Sequence, residues 1–539
     1  MQGVEEWIHF LYFCSSEDKS FKMTSATLLI PYLSIDIAKI IEEYLVPYCP
    51  VRHSWEHLCQ LGCLDGLYWV HKRKKGYFSN MCIQRAAEAG HVHVLQWLYD
   101  RFGPFTKLQN ALLAASSNGH LEAMRWLHEH GAKDQQCGPN LLNFAAENGH
   151  LDVVQWVHIN YPEGCTYHAM DWAAFNGNLA IVQWLHLHRN EGCSTSAMDN
   201  AAEMGHMSVL LWLHEHRTEG CTQRAMNGAA QNGHLEIVKW LHEHRTEGCT
   251  QRAMDGAAQN GHLEIVKWLH EHRTEGCTTK AMDMAAGNGY LAIVQWLHHH
   301  REEGCTIDAM DQAAGGGQQS VLEWLHENRT EGCSQHAMDW AAYNGHLNIM
   351  QWLNLYRHER YSSNAILWAA DNQHYNVIQW MVTVYNEPIT TPVLYSLAER
   401  GMLGILVWIH DRDCSPFLSP FLNFSSFIAS AVLSNNIYLV YWIYVTFPDK
   451  FRRTQESTYV AIGSNQKGMV EFLFSNGDSV CNFNCFLKAL MNNHLDMYFW
   501  LARKFPKEYE IYYKALTSLG HIYPNPYVKD WVIQFCSPL

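Results

Sequence analysis

Proline and charge are both scarce in this chain, with 15 prolines in 539 residues and only 17% charged side chains. Few prolines leave helix interiors unbroken. Sparse charge together with 48% apolar content excludes a disordered chain. Basic residues are the scarcer sign, 38 against 53 acidic, for a net charge of −15. That balance argues against a nucleic-acid backbone or an anionic membrane as the main partner. Long lipid-like runs are missing, and the longest, residues 437–447, is too short to span a bilayer. The apolar stretch 7–13 follows Glu5 and Glu6, where a secretory signal would carry basic residues. A cytoplasmic or nuclear location is therefore expected. The Asn-x-Ser/Thr matches at Asn328 and Asn423 then carry no weight, because that chemistry needs secretion.

Catalytic patterns are missing too. No C-x-x-C pair suggests a zinc ribbon. The glycine-rich stretch 313–324, AAGGGQQSVLEW, lacks the Walker Lys-Ser/Thr and the dinucleotide spacing. No nucleophile–base pairing or acidic dyad stands out. The expectation is a non-enzyme with no cofactor, no metal and no small-molecule substrate.

What is present is repetition. Residues 218–245 and 246–273 differ at one position, Asn227 against Asp255. A catalytic site needs different residue types converging at one point, whereas a duplicated unit supplies the same types again, displaced in space. The frame A-A-x-N-G-H-L-x-x-V-x-W-L begins at 58, 86, 115, 145, 173, 201, 229, 257, 285, 313, 341, 369, 397, 431, 461 and 489. Sixteen units follow, mostly at a spacing of 28, interrupted by steps of 29, 30, 34 and 30 residues. The widest step holds DRDCSPFLSPFLNFSS, where Pro416 and Pro420 predict a non-helical loop.

Each unit reads as two helices. In residues 278–305 Thr278 is placed to cap the first, and Ser or Thr recurs there at 166, 194, 222, 250, 306, 334 and 362. Ala281, Met282, Ala285 and Ala286 follow at helical spacing, and Asn288-Gly289 ends the helix with a positive-φ turn. Ile293, Val294, Trp296 and Leu297 form the apolar side of the second helix. Fifteen of the 21 tryptophans share one frame position, which predicts a buried ladder between units. The Ala-Ala pair predicts a tight contact between stacked first helices.

Two further ladders invite a chemical reading. Cysteines at 165, 193, 221, 249, 277, 305 and 333 follow glycine. Stacked layers lie ~8–10 Å apart and a disulfide needs Cα atoms within ~7 Å, so buried unpaired thiols are expected. The chain has 34 histidines, among them HEH at 214–216, 242–244 and 270–272 and HHH at 298–300. Residues two apart face different ways on a helix and equivalent ones lie a layer apart, so surface imidazoles at a helix C-terminus are expected rather than a metal site.

RAMDGAAQNGHLEIVKWL, residues 252–269, resembles the ankyrin repeat, which carries T-P-L-H-x-A-A-x-x-G-H-L-E-V-V-K-L-L. The resemblance covers roughly residues 50–510 and is closest to the long 28-residue arrays expanded in some unicellular eukaryotes and large DNA viruses. It implies an all-α, ankyrin-like α-solenoid of about sixteen helix-turn-helix repeats. It also implies protein–protein recognition, with the first helices on the concave side. The usual 33-residue period has shrunk, so the β-hairpin finger is expected to be shortened or absent. Asp at 171, 199, 255, 283, 311 and 339 replaces the family histidine, and can accept similar bonds.

If the repeated positions build the scaffold, recognition lies in those that vary between units. Beside Ala-Ala the duplicated units place Gly228/Gln231 and Gly256/Gln259, which reads them as spacers. Elsewhere the same positions are large: Trp172 with Phe175, Trp340 with Tyr343, and Trp368. These five are the candidate protein-binding residues. The expected domains are an N-terminal helical cap at 1–50, the array at 51–510 and a C-terminal cap at 511–539. Residues 24–50 hold an amphipathic helix, Ile37, Ile40, Ile41, Tyr44 and Leu45. That stretch faintly resembles the opening helix of an F-box, so the alternative function is a substrate-recruiting adaptor of a ubiquitin ligase. The basic run 71–76, HKRKKG, reads as a solvated turn or, alternatively, as a nuclear-import signal.

Overall fold

A computed structural model describes residues 55–510, apart from 73–77, 106, 133–138, 162–163, 452–454, 478–479 and 493. The expected caps at 1–50 and 511–539, the F-box-like stretch and most of the basic run lie outside the described residues. Among the described residues there is no strand. Sixteen helix pairs follow one another, from Trp55–Leu61 with Leu64–Lys72 to Phe483–Met491 with Leu495–Lys504. The fold is an all-α repeat solenoid, and the β-hairpin finger is replaced by a short loop. The described residues divide into two compact units, one ending at Ala225 and the other beginning at Met226.

The local logic is plain in the second unit. Thr250 opens the helix Gln251–Gln259 in extended conformation, and its hydroxyl accepts the Arg252 N–H. Every other Ser or Thr expected to cap bonds the N–H two residues on, as Thr278 does with Lys280. Gly261, at φ +85°, turns the chain into Leu263–His272. A Cβ there would stand 2.7 Å from the Tyr290 ring of the next repeat, so glycine answers both the conformation and the contact.

First helices pack on first helices, Gln251–Gln259 on Thr279–Gly287, then Asp308–Gly315, then Gln335–Asn344. The contact is made by fully buried alanines, Ala257/Ala258, Ala285/Ala286, Ala313/Ala314 and Ala341/Ala342. Met, Ile, Val and Leu complete each core, as in Met254, Ile265, Val266 and Leu269. The tryptophan ladder departs from expectation. Trp97 and Trp126 are buried, but Trp184, Trp212, Trp240, Trp268, Trp296, Trp324 and Trp352 are only half-buried. Each sits next to the buried Leu of its helix, so the neighbouring layer covers one edge and leaves the other at the rim. Pro416 also departs from expectation, lying in the first turn of a four-residue helix, Ser415–Leu418. There its missing N–H would have had no helical partner.

Without a hairpin, successive repeats are tied by side chains. Asp199 accepts both the backbone N–H and the hydroxyl of Thr222, each at 2.7 Å. Asp255 does the same with Thr278, and Asp283 with Thr306. The one difference between the duplicated repeats falls on this bond. Asn227 still accepts the Thr250 N–H at 2.9 Å, but its amide donates to the Thr250 oxygen at 3.0 Å. The link survives with its second proton reversed.

Replacing Ala285 by Leu forces an isobutyl group into the closest helix contact, which should cost roughly 1–3 kcal/mol by overpacking. Urea unfolding should show a lower first midpoint for A285L, while Gln259→Leu on the exposed face leaves it unchanged.

Candidate protein-binding face

The positions flanking the alanine pairs range from buried Asn200, Gly256 and Gly315 to exposed Gln231 and Gln259, so the first helices present a variable face in each unit. In the first unit Trp172 is half-buried, stacked at 6.1 Å on Phe144 and at 5.1 Å on His168. Phe175 is half-buried. In the second unit Trp340 is 38% and Tyr343 48% exposed, and His336 stacks on Trp340 at 5.5 Å. Trp368 is half-buried. The structure therefore offers Trp340 and Tyr343 to solvent together, while Trp172 is partly occupied by its own neighbours.

Trp340 owes its pose to a glycine. A Cβ on Gly315 would stand 2.9 Å from the Trp340 Cβ. With glycine there, the indole borders a hollow of about 360 Å³ lined by Met284, Gly287, Gln312, Gly315, Asn344 and others. A second hollow of about 590 Å³ adjoins it at Gln259 and holds Arg252, Gly256, Thr278 and Lys280. Sequence reasoning missed both. A signal was there in the glycines beside Ala-Ala, of which Gly256 was read as part of a spacer while Gly287 and Gly315 were given no binding role.

The cysteine and histidine ladders are structural. Cys165, Cys249, Cys277 and Cys305 are buried free thiols. Burial pushes Cys249 up to about 11 and Cys277 up to about 12. Each lies under an inter-repeat polar clamp: Arg273 and Glu275 pair side by side, and Glu275 accepts the Cys249 N–H. Arg301 and Glu303 repeat this over Cys277. Their guanidinium partners draw Glu275 and Glu303 down to about 2.

The paired histidines divide the work. His272 donates from Nδ1 to the Trp268 carbonyl at 2.9 Å and stacks on that indole at 4.5 Å. His242 meets Trp268 edge-on at 5.2 Å, with its Nδ1 3.4 Å from Arg273 Nη1. His158 and His298, in the same role, titrate below the ordinary imidazole range through burial and the adjacent arginine. The Nδ1 atoms of His158 and His298 accept from Arg189 and Arg329. Non-equivalent histidines do meet across repeats, the His242 and His272 rings standing 6.1 Å apart. Among the described residues no three ligand-type side chains gather as a metal would need, and no helix is long and apolar enough to cross a membrane.

Two models of ankyrin repeats match the chain, one over residues 83–171, 170–255 and 226–311 and the other over 310–353. No curated protein matches it. Among solved structures, a pentatricopeptide repeat protein from maize is 10% identical at a TM-score of 0.30, covering 96% of this chain and 89% of that one. The same protein in complex with an 18-nt psaJ RNA element is 11% identical at 0.31, covering 81% and 76%. That likeness is too slight to bear on this chain.

Two outcomes follow from the clamps. Glu275 and Glu303 bind protons less readily when folded, so their stabilisation is full above the ordinary carboxylate value of 4.5 and disappears as pH falls towards about 2. The double variant E275Q/E303Q should melt below the parent at pH 7 and converge with it near pH 2; a pH-independent gap would refute the assignment. With iodoacetamide at pH 8, exposed Cys414 should alkylate well before Cys249 and Cys277, which should react only after denaturation, as read by peptide mass spectrometry.

Proposed function

This chain belongs to the ankyrin-repeat family, and from that premise we propose that it is a non-catalytic scaffold binding one or more partner proteins on the face of its first helices. The observation that carries the reading is the exposed Trp340–Tyr343 pair, set on a rigid helix and bordering a hollow that a neighbouring glycine opens. Exposed aromatics on a preformed surface bury much area at little entropic cost, which is why such pairs anchor interfaces. Trp172, Phe175 and Trp368 occupy equivalent positions and extend the same face within their own units. The ladders of Asp, Arg, Glu, Cys and His are engaged by neighbouring repeats at most positions, as at Asp255, Glu275 and His242. These contacts serve the stack.

The test is affinity capture from native lysate with the full chain, with W172A/F175A, and with W340A/Y343A. Leu187→Ser, on the exposed surface of a second helix, serves as control. Captured proteins should fall at least tenfold with one or both aromatic variants and persist with L187S. Equal capture by all four chains would remove the first-helix face from consideration.

A further inference from the structure

The first helices of the second unit carry charge in an order that no other part of that face shows. Arg252 and Lys280 occupy the same position in successive repeats, both exposed, on the wall of the larger hollow. Neither has an ion-pair partner among the described residues, in a chain whose net charge is −15. The one carboxylate in that hollow, Asp255, has both oxygens engaged by Thr278. The next repeat places exposed Asp308 at the equivalent position, which ends the basic stretch at Lys280.

Beyond Gln259 the trough becomes neutral and then aromatic. Met284, Gly287, Gln312 and Gly315 lead to Trp340. Its floor is glycine because larger residues would collide: a Cβ on Gly287 would lie 2.9 Å from the Gln312 Cβ. The side-chain amides of Gln259 and Gln312 have no partner among the described residues, and each offers a donor and an acceptor. Those are the groups an extended peptide backbone presents.

Taking the scaffold reading above as its basis, we propose that this trough binds an extended acidic peptide segment of a partner protein. Its carboxylates would meet Arg252 and Lys280, its backbone the amides of Gln259 and Gln312, and a bulky apolar side chain would rest against Trp340. Four neighbouring helices span about 25–30 Å at ~8–10 Å per layer. An extended chain covers that in about eight or nine residues at ~3.3 Å each. A short linear segment therefore fits where a folded domain's convex surface would not reach the glycine floor.

The test uses the full chain and a positional-scanning library of ten-residue peptides. The retained pool should be enriched in Asp and Glu at neighbouring positions, with Leu, Phe or Trp about five residues away. The R252E/K280E variant should retain that pool at least tenfold less and select Lys or Arg at the same positions. W340A should lose the apolar preference and keep the acidic one. A pool without acidic enrichment would overturn the proposal, as would an acidic preference that survives R252E/K280E. Should that reversal unfold the chain, R252Q/K280Q decides: a lost acidic preference supports the groove, and an unchanged one refutes it. Oligouridine bound by the parent and released by R252Q/K280Q, with no peptide retained, would also refute it. If lysate proteins still depend on Trp340 and Tyr343 while peptides fail, the acidic segment falls and the scaffold stands.

Discussion

The closest constraint in the molecule is a pair of methyl groups. In the regular repeats from Ala145/Ala146 to Ala369/Ala370 each first helix buries two alanines completely, and a larger residue there would overpack the contact. Helix separation in turn sets how far each Asp stands from the next Thr or Ser, and each Glu from the preceding cysteine N–H. Those bonds recur with nearly the same lengths along the array because the alanine contact recurs. Apolar burial drives the stacking, but the small residue determines its pitch.

The polar ladders explain how the finger became dispensable. A hairpin satisfies its own backbone groups; a short loop cannot, and an unmet buried N–H is expensive. Here the aspartate of one repeat takes the N–H at the start of the next first helix, and glutamate takes the N–H of cysteine. The Asn227–Thr250 pair shows the requirement is geometric rather than ionic, since a neutral amide makes the same connection with its proton reversed.

The array, the two helices of each repeat, the capping hydroxyls and the Asn-Gly turns were all legible in the residues, because each depends on local propensity and period. The tryptophan ladder was legible in register but not in depth. Periodicity places Trp268 beside the core yet cannot say how much of a large ring the neighbouring layer covers. The histidine contacts were not legible for a related reason. On one helix His270 and His272 diverge, but the next layer brings His242 against Trp268 and within 6.1 Å of His272. Intrahelical spacing cannot report a contact between layers.

The candidate face divides along the same line. Sequence alone determined the repeat, its all-helical character and the aromatic identity of Trp340 and Tyr343, since these follow from composition and order along the chain. Only tertiary structure decided that Trp340 stands exposed while Trp172 is stacked on Phe144, and that Gly256, Gly287 and Gly315 line a trough. The physical reason is that exposure and concavity belong to neighbouring layers together. Gly315 has no shape of its own until the next helix sets an indole against it.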